Sequence, residues 1–349
     1  MPARRHATYP WLLTAIGLGC STGDSRAPSA GVADATADSS PAESGGDDAM
    51  ESGSDAVGGE EGTLTTEAAA EHEAAAPFLR TVFLLVMENK NLIQLKGNPA
   101  APFVNSLFLS AASAQQYYNP PRNHPSEPNY VWLEAGDSLG IPDDNDPAIN
   151  ARDTPDHLVA YLQRAGISWK AYQEDISGTD CPLTPVALYG PKHNPFVFFK
   201  DVTGKNNPAD PFCIQHIRPF SEFAADLKNY TVARYNFITP NLCNDMHSCA
   251  TQIGDAWMQS TVSMILASPA YLDGGVLFIA WDEADGGDGP IGLFALSPIA
   301  KAGYSNTTTY YDHSSLLKTL QEIFGVTPLL RHAGDPGVND LSDLFSSFP

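Results

Sequence analysis

Residues 79–87 (LRTVFLLVM) and 275–281 (GVLFIAW) form near-continuous apolar runs rich in β-formers. This is the pattern of strands buried on both faces of a parallel sheet. Residues 291–296 repeat it in shorter form. Segments with helical spacing of apolar positions lie at 157–165, 220–227, 254–267 and 314–324. Strands alternating with helices predict an α/β fold whose sheet is covered on both faces. Residues 119–150 hold many Pro, Asn and Asp with little periodicity, and read as one long loop.

The pattern changes ahead of residue 77. Residues 21–76 are rich in Ser, Gly, Ala, Asp and Glu and contain no aromatic residue. Such a segment buries too little apolar surface to offset its ordering entropy, so a disordered acidic tether is expected, with helix-forming composition at 66–76. Before it, Arg4 and Arg5 precede a short apolar run at 11–18. That run is too short to span a bilayer and fits the apolar core of an export signal. It ends at Gly19-Cys20, similar to the lipobox of bacterial lipoproteins, although Gly17 stands where Leu is usual. Cys20 is the expected acylated residue, and plain secretion is the alternative. The organisation expected is a signal over 1–20, a tether over 21–76 and one folded domain over 77–349. Its expected location is the cell envelope or the exterior, with the membrane touched only through the lipid anchor. No feature calls for an oligomer, and a monomer is expected.

Charge narrows the partners. The formal net charge is −22, with +2 on residues 1–20, −12 on 21–76 and −12 on the remainder. No basic patch exists to meet nucleic-acid phosphates, which excludes that partner class. The folded domain also repels anions at long range, so an anionic substrate requires a bound cation to reverse the local sign. Beyond Cys20 the cysteines are Cys181, Cys213, Cys243 and Cys249. An even number in an exported chain predicts two disulfides. Of three connectivities, Cys243–Cys249 with Cys181–Cys213 is favoured because the first pair is close in sequence. The spacings do not match a zinc-binding pattern.

Both long apolar runs end in acidic residues, Glu88-Asn89 and Asp282-Glu283. Ligands of open α/β sheets bind beyond the carboxyl ends of the strands. Two such ends side by side gather three carboxylates and an amide oxygen, and a divalent cation relieves their repulsion. All-oxygen ligation favours Ca²⁺, Mg²⁺ or Mn²⁺ over Zn²⁺. In NHPSEPN (123–129), Pro125 and Pro128 stiffen the backbone around Ser126, a candidate nucleophile. In NLCNDMHSC (241–249), a Cys243–Cys249 bridge would hold Asn244, Asp245 and His247 in a small fixed loop. His193 and His313 are further candidates. Asp143-Asp144-Asn145-Asp146 lacks the Gly and distal Glu of an EF-hand loop and reads as a turn.

In order, the chain carries VMENKN (86–91), HPSEPNY (124–130), SWKAYQED (168–175), KHNPF (192–196), PNLCNDMHSC (240–249), WDEAD (281–285), SPIAKAGY (297–304) and YDHSSLLKTLQEIFG (311–325). The series resembles the phosphoesterase family of bacterial and fungal acid phosphatases and bacterial phospholipases C, over residues 79–324. The resemblance implies an alkaline-phosphatase-like fold, a central mostly parallel sheet sandwiched between helices. It implies one divalent metal ion on Glu88, Asn89, Asp282 and Glu283, which also holds the nucleophile, placed at Ser126. His193 and His247 are expected to contact the phosphate, with Asn129 and His313 as further contacts and His247 in a catalytic role. Asp245 is expected to support the residues that touch the metal and phosphate, or to bind a second metal as in two-zinc relatives. Glu283 stands where two-zinc relatives have His, which points to one metal. The motif forms are more like the acid phosphatases, so hydrolysis of phosphomonoesters of small molecules or lipid headgroups through a phosphoserine intermediate is expected. Protonated histidines in the site would give an acidic optimum. A phospholipase C-type phosphodiesterase is one alternative, and an inactive surface-displayed binding protein is another.

Overall fold

The structure is a computed structural model and describes residues 79–348. The expected export signal, the acylated Cys20 and the acidic tether lie outside the described residues.

Ten strands are present among the described residues: β1 Thr81–Met87, β2 Ala112–Ala114, β3 Tyr117–Tyr118, β4 Trp169–Gln173, β5 Ile217–Pro219, β6 Tyr235–Thr239, β7 Gly275–Trp281, β8 Leu293–Leu296, β9 Ser305–Asn306 and β10 Tyr311–Asp312. Eight build one sheet in the order β5-β4-β6-β1-β7-β8-β2-β9, and β3 pairs with β10 separately. From β5 to β7 all neighbours are parallel, while β8 runs antiparallel to β7 and to β2. Every residue of β1 and β7 is buried, as unbroken apolar runs require of central strands. The expected helix at 314–324 is His313–Phe324, that at 254–267 is Thr251–Leu266, and that at 157–165 is Leu158–Arg164. The segment at 220–227 begins as a single 3₁₀ turn, Phe220–Glu222, and continues as the helix Phe223–Asn229.

The expected loop at 119–150 is different. It contains a ten-residue helix, Ser126–Ala135, in which all residues but Trp132 are buried. A helix buried all round has no polar face and so leaves no amphipathic period. Its Pro128 falls in the first turn, where a missing N–H is harmless. This helix packs on His313–Phe324. Among the described residues, no helix is long and apolar enough to cross a membrane.

The same helix carries an isolated buried acid. Glu134 is fully buried; one carboxyl oxygen accepts from the Tyr235 hydroxyl at 2.5 Å and the other has no partner. Burial pushes its pKa up to about 8. The folded state therefore keeps a proton that the unfolded chain loses near pH 4.5, so this group's contribution to stability falls as pH rises from about 4.5 to about 8. Glu134→Gln keeps the shape and removes the titration. Denaturant unfolding should find the variant more stable than the parent at pH 8 by about 4 kcal/mol, and within about 0.5 kcal/mol of it at pH 4.5. An equal difference at both pH values would refute this account.

Candidate active site

The strands β6, β1 and β7 are neighbours, and their carboxyl ends build one site. Met87 is opposite Trp281 in the β1–β7 ladder. Glu88 and Asp282 therefore leave the sheet together. The Asp282 N–H donates to the Met87 carbonyl at 3.0 Å, and the Asn89 N–H donates to Asp282 Oδ1 at 3.0 Å. The Glu88 N–H donates to the Asp245 carbonyl at 2.9 Å, which ties in the chain that follows β6. Asn89 takes a φ of 39° and Met246 a φ of 79°. Both lie in the left-handed region that non-glycine residues seldom adopt, and strain of this kind gathers at functional loops.

Ser126 is the first residue of its helix and is 1% exposed. Its hydroxyl lies 3.1 Å from Glu88 Oε2 and 3.3 Å from Glu283 Oε1. The second oxygen of Glu283 meets His124 Nδ1, and His124 Nε2 lies 3.1 Å from Asp288 Oδ1. Glu88 is fully buried and accepts from the Tyr130 hydroxyl at 2.5 Å. The Tyr130 ring stacks on His193 with centroids 5.2 Å apart. His193 places Nε2 3.2 Å from Glu88 Oε2 and Nδ1 3.3 Å from Asp245 Oδ2. Neither His193 Nε2 nor Asp245 Oδ2 is aligned for a hydrogen bond.

The opposite wall is the disulfide loop. Cys243–Cys249 and Cys181–Cys213 are both bonded, with Cα atoms 4.7 and 5.5 Å apart. Asp245 Oδ1 accepts the His247 N–H at 2.7 Å. Glu174, which follows β4, accepts from the Asn241 N–H at 2.9 Å, the Asn244 amide at 2.9 Å and the Trp257 indole at 2.9 Å. It thus ties the loop to the helix Thr251–Leu266. That helix presses on the loop through Gly254, where a Cβ would meet Met246 Cγ at 2.4 Å and the Asn244 carbonyl at 2.8 Å.

Burial first, and the Asp282 and Asp245 charges after it, hold the Glu88 carboxyl well above its ordinary range. Burial raises Asp282, Glu283 and Asp245 too. Four carboxyls whose ionisation is opposed by burial and by one another suit a divalent cation. Two further observations favour one. Asn89 Oδ1 and Asp282 Oδ2 are buried without partners, and single ligand atoms of Glu88, His193 and His247 lie within 4.8 Å of one another. The residues fit a metal ion, although the last trio adds two imidazoles to the oxygen donors expected.

The protonated histidines expected from the sequence are opposed by their surroundings. Burial and the adjacent Lys192 ammonium lower His193 and His247. This favours the neutral form of each imidazole, which can offer a lone pair. Lys192 Nζ itself stands 3.4 Å from His247 Nε2 and 3.1 Å from Asp144 Oδ2.

The structure brings Glu88, Asn89, Asp282, Glu283 and Ser126 together, with His193, His247 and Asp245 beside them. Two other residues are placed differently. Asn129 is fully buried, and its amide is used by the Asn123 and Pro125 carbonyls and Glu283, so it braces the loop before Ser126 and offers nothing to a phosphate. His313 is also fully buried, held between the Tyr117 hydroxyl at 2.8 Å and the Asp282 carbonyl at 2.6 Å. It supports the strand end from behind. Sequence reasoning passed over His124, Tyr130, Glu174, Lys192 and Asp144. The first four stand inside the motifs quoted, which was their only signal.

Residues 90–327 match the model of the Phosphoesterase family. The chain belongs to that family. It is a hydrolase of phosphoric esters. A phosphatidylinositol-3-phosphatase of Mycobacterium tuberculosis is 30% identical over 271 residues, covering 77% of this chain and 84% of that protein. A phosphate-repressible acid phosphatase of Penicillium chrysogenum is 29% identical over 218 residues, 60% of this chain. The chain spans about half the length of that fungal relative. Among solved structures, a sulfatase-like protein of Bacteroides thetaiotaomicron superposes with a TM-score of 0.52 at 11% identity, covering 77% of this chain and 75% of that one. That likeness is one of fold, and the fold is the alkaline-phosphatase-like sandwich expected from the sequence.

Proposed function

We propose that the protein is an exported, metal-dependent phosphomonoesterase of the acid phosphatase kind, acting as a monomer through a phosphoserine on Ser126. The observation that carries the reading is the Ser126 hydroxyl set between Glu88 and Glu283 at the meeting of two acidic strand ends. Glu88, Asn89, Asp282 and Glu283 would hold one divalent cation beside it, with the unpartnered Asn89 Oδ1 and Asp282 Oδ2 as donors. Bound there, the cation would lower the serine pKa and neutralise phosphoryl charge. Ser126 attacks phosphorus in line as the ester P–O bond breaks; its proton passes to one of the two carboxylates it touches, and the leaving oxygen takes a proton from water and departs as the alcohol. His193 and His247 face the phosphoryl oxygens, and water then hydrolyses the phosphoserine. His124, bridging Glu283 and Asp288, steadies the strand end. Export is supported by two disulfides in the folded domain. The substrate class is a phosphorylated small molecule or a lipid headgroup such as the one named for the mycobacterial relative.

Turnover of p-nitrophenyl phosphate should vanish with EDTA and return with one equivalent of a divalent cation, while phosphatidylcholine should remain uncleaved. The four oxygen donors favour Ca²⁺, Mg²⁺ or Mn²⁺, and the imidazoles of His193 and His247, open to the cation before a phosphoryl group arrives, favour Mn²⁺ or Zn²⁺. Mn²⁺ satisfies both sets and should restore more activity than Ca²⁺. Turnover unaffected by chelation would remove the metal from the reading. No turnover of any phosphoester would leave the binding-protein alternative, and cleavage of phosphatidylcholine the phospholipase one.

A further inference from the structure

Lys192 has no part in the cation seat or in the attack of Ser126, yet it stands at their mouth. It lies in the short turn Pro191–His193, directly before His193. Its side chain is 23% exposed, and its ammonium is held 3.1 Å from Asp144 Oδ2 and 3.4 Å from His247 Nε2. The other oxygen of Asp144 accepts the N–H of Glu127 at 3.0 Å. Glu127 is the second residue of the helix that Ser126 begins. One carboxylate thus spans the ammonium and the backbone beside the serine, and fixes the distance between them. Lys90, on the strand end itself, is otherwise engaged, because its ammonium donates to the Asn89 and Met246 carbonyls at 2.9 and 3.2 Å.

We propose that Lys192 is the phosphate-contacting residue that selects phosphomonoesters over phosphodiesters, by receiving the third non-bridging oxygen that only a monoester carries. The inference rests on the phosphoesterase site proposed above. A monoester near neutral pH carries close to two negative charges and a diester one. The domain is strongly acidic, so the additional charge requires a fixed cation. Lys192 supplies it beside His247, at a distance from Ser126 set by Asp144. A diester would have to bring a second ester substituent to the same position, where it meets an ammonium instead of an apolar surface. Asp144 is a positioning residue in this arrangement, since it acts through Lys192 and the serine helix.

The test uses the full chain loaded with a divalent cation. For Lys192→Met, kcat/KM on p-nitrophenyl phosphate should fall about 10²–10³-fold, the usual loss for one charge-stabilising donor. On bis(p-nitrophenyl) phosphate it should change by less than about 5-fold, and the inhibition constant for inorganic phosphate should rise by at least about 10-fold. Lys192→Arg should recover most of the monoester rate, which a merely structural loss would not allow. Equal losses on both esters, or unchanged monoester kinetics, would overturn the proposal. If the parent hydrolyses neither ester, the phosphoesterase reading fails by itself. Calorimetric binding of inorganic phosphate then decides on Lys192. Binding by the parent that Lys192→Met loses supports the role, and equal binding or none by the parent ends it. Where the diester rate lies below detection, the monoester and phosphate-inhibition values decide.

Discussion

Ser126→Ala should lower kcat on p-nitrophenyl phosphate by at least about 10⁴-fold and leave the fold in place, the scale of loss seen when a nucleophile is removed from a site that acts as a unit. The expectation follows from position. Ser126 is almost fully buried, and its hydroxyl is aimed at two carboxylates of adjacent strand ends. No other hydroxyl or thiol touches both of those strand ends among the hydrogen bonds of the described residues; Tyr130 reaches Glu88 alone. Alanine is an acceptable first residue of a helix, and the deletion leaves only a hydroxyl-sized gap. Thermal unfolding of the metal-loaded variant should therefore lie within about 1 kcal/mol of the parent. The sharper measurement is chemical. Rapid acid quench of the parent with ³²P-labelled substrate should trap label on Ser126, and the variant should trap none. Activity within about 10-fold of the parent would move the nucleophile elsewhere.

How much of this was written in the linear pattern depends on what each residue answers to. The strands β1 and β7 are unbroken apolar runs, so their limits and burial were legible. The acidic pairs that follow them were legible as a cluster because parallel neighbours release their next residues side by side. The helix Ser126–Ala135 was not legible, because a helix with no solvent face has no period to read. Direction of approach was hidden as well. Asn129 and His313 were expected on the substrate side, yet each is spent on backbone groups behind the site. Nothing local separates a histidine that faces a ligand from one that props a strand end. Lys192 and Asp144 stand 48 residues apart and meet only through folding. Asp144 read only as part of a turn; its task beside Lys192 depends on what packs against that segment.

The seat for the cation should store instability that the cation relieves, and Glu88→Gln should expose this. Burial, then the Asp282 and Asp245 charges, holds the Glu88 carboxyl well above its ordinary range when no metal is bound. The metal-free folded state keeps a proton that the unfolded chain releases, so the contribution of Glu88 to stability falls as pH rises past its unfolded value. A divalent cation reverses the sign by binding the ionised form. The melting temperature of the parent should therefore gain more from metal at pH 8 than at pH 5. In Glu88→Gln the amide oxygen still accepts from Tyr130, and the amide N–H can face Ser126 Oγ or His193 Nε2, which are Glu88's present neighbours. The metal-free variant should then melt above the metal-free parent at pH 8, by about 2–4 °C for each kcal/mol relieved. Its response to metal should be largely lost, and its turnover should fall by at least about 10⁴-fold, because the seat beside Ser126 loses its most buried charge. Loss of activity with a lower metal-free melting temperature would mean that Glu88 is a structural acid whose charge the fold requires. Gain of stability with loss of activity would place Glu88 among residues kept for chemistry at the expense of the fold.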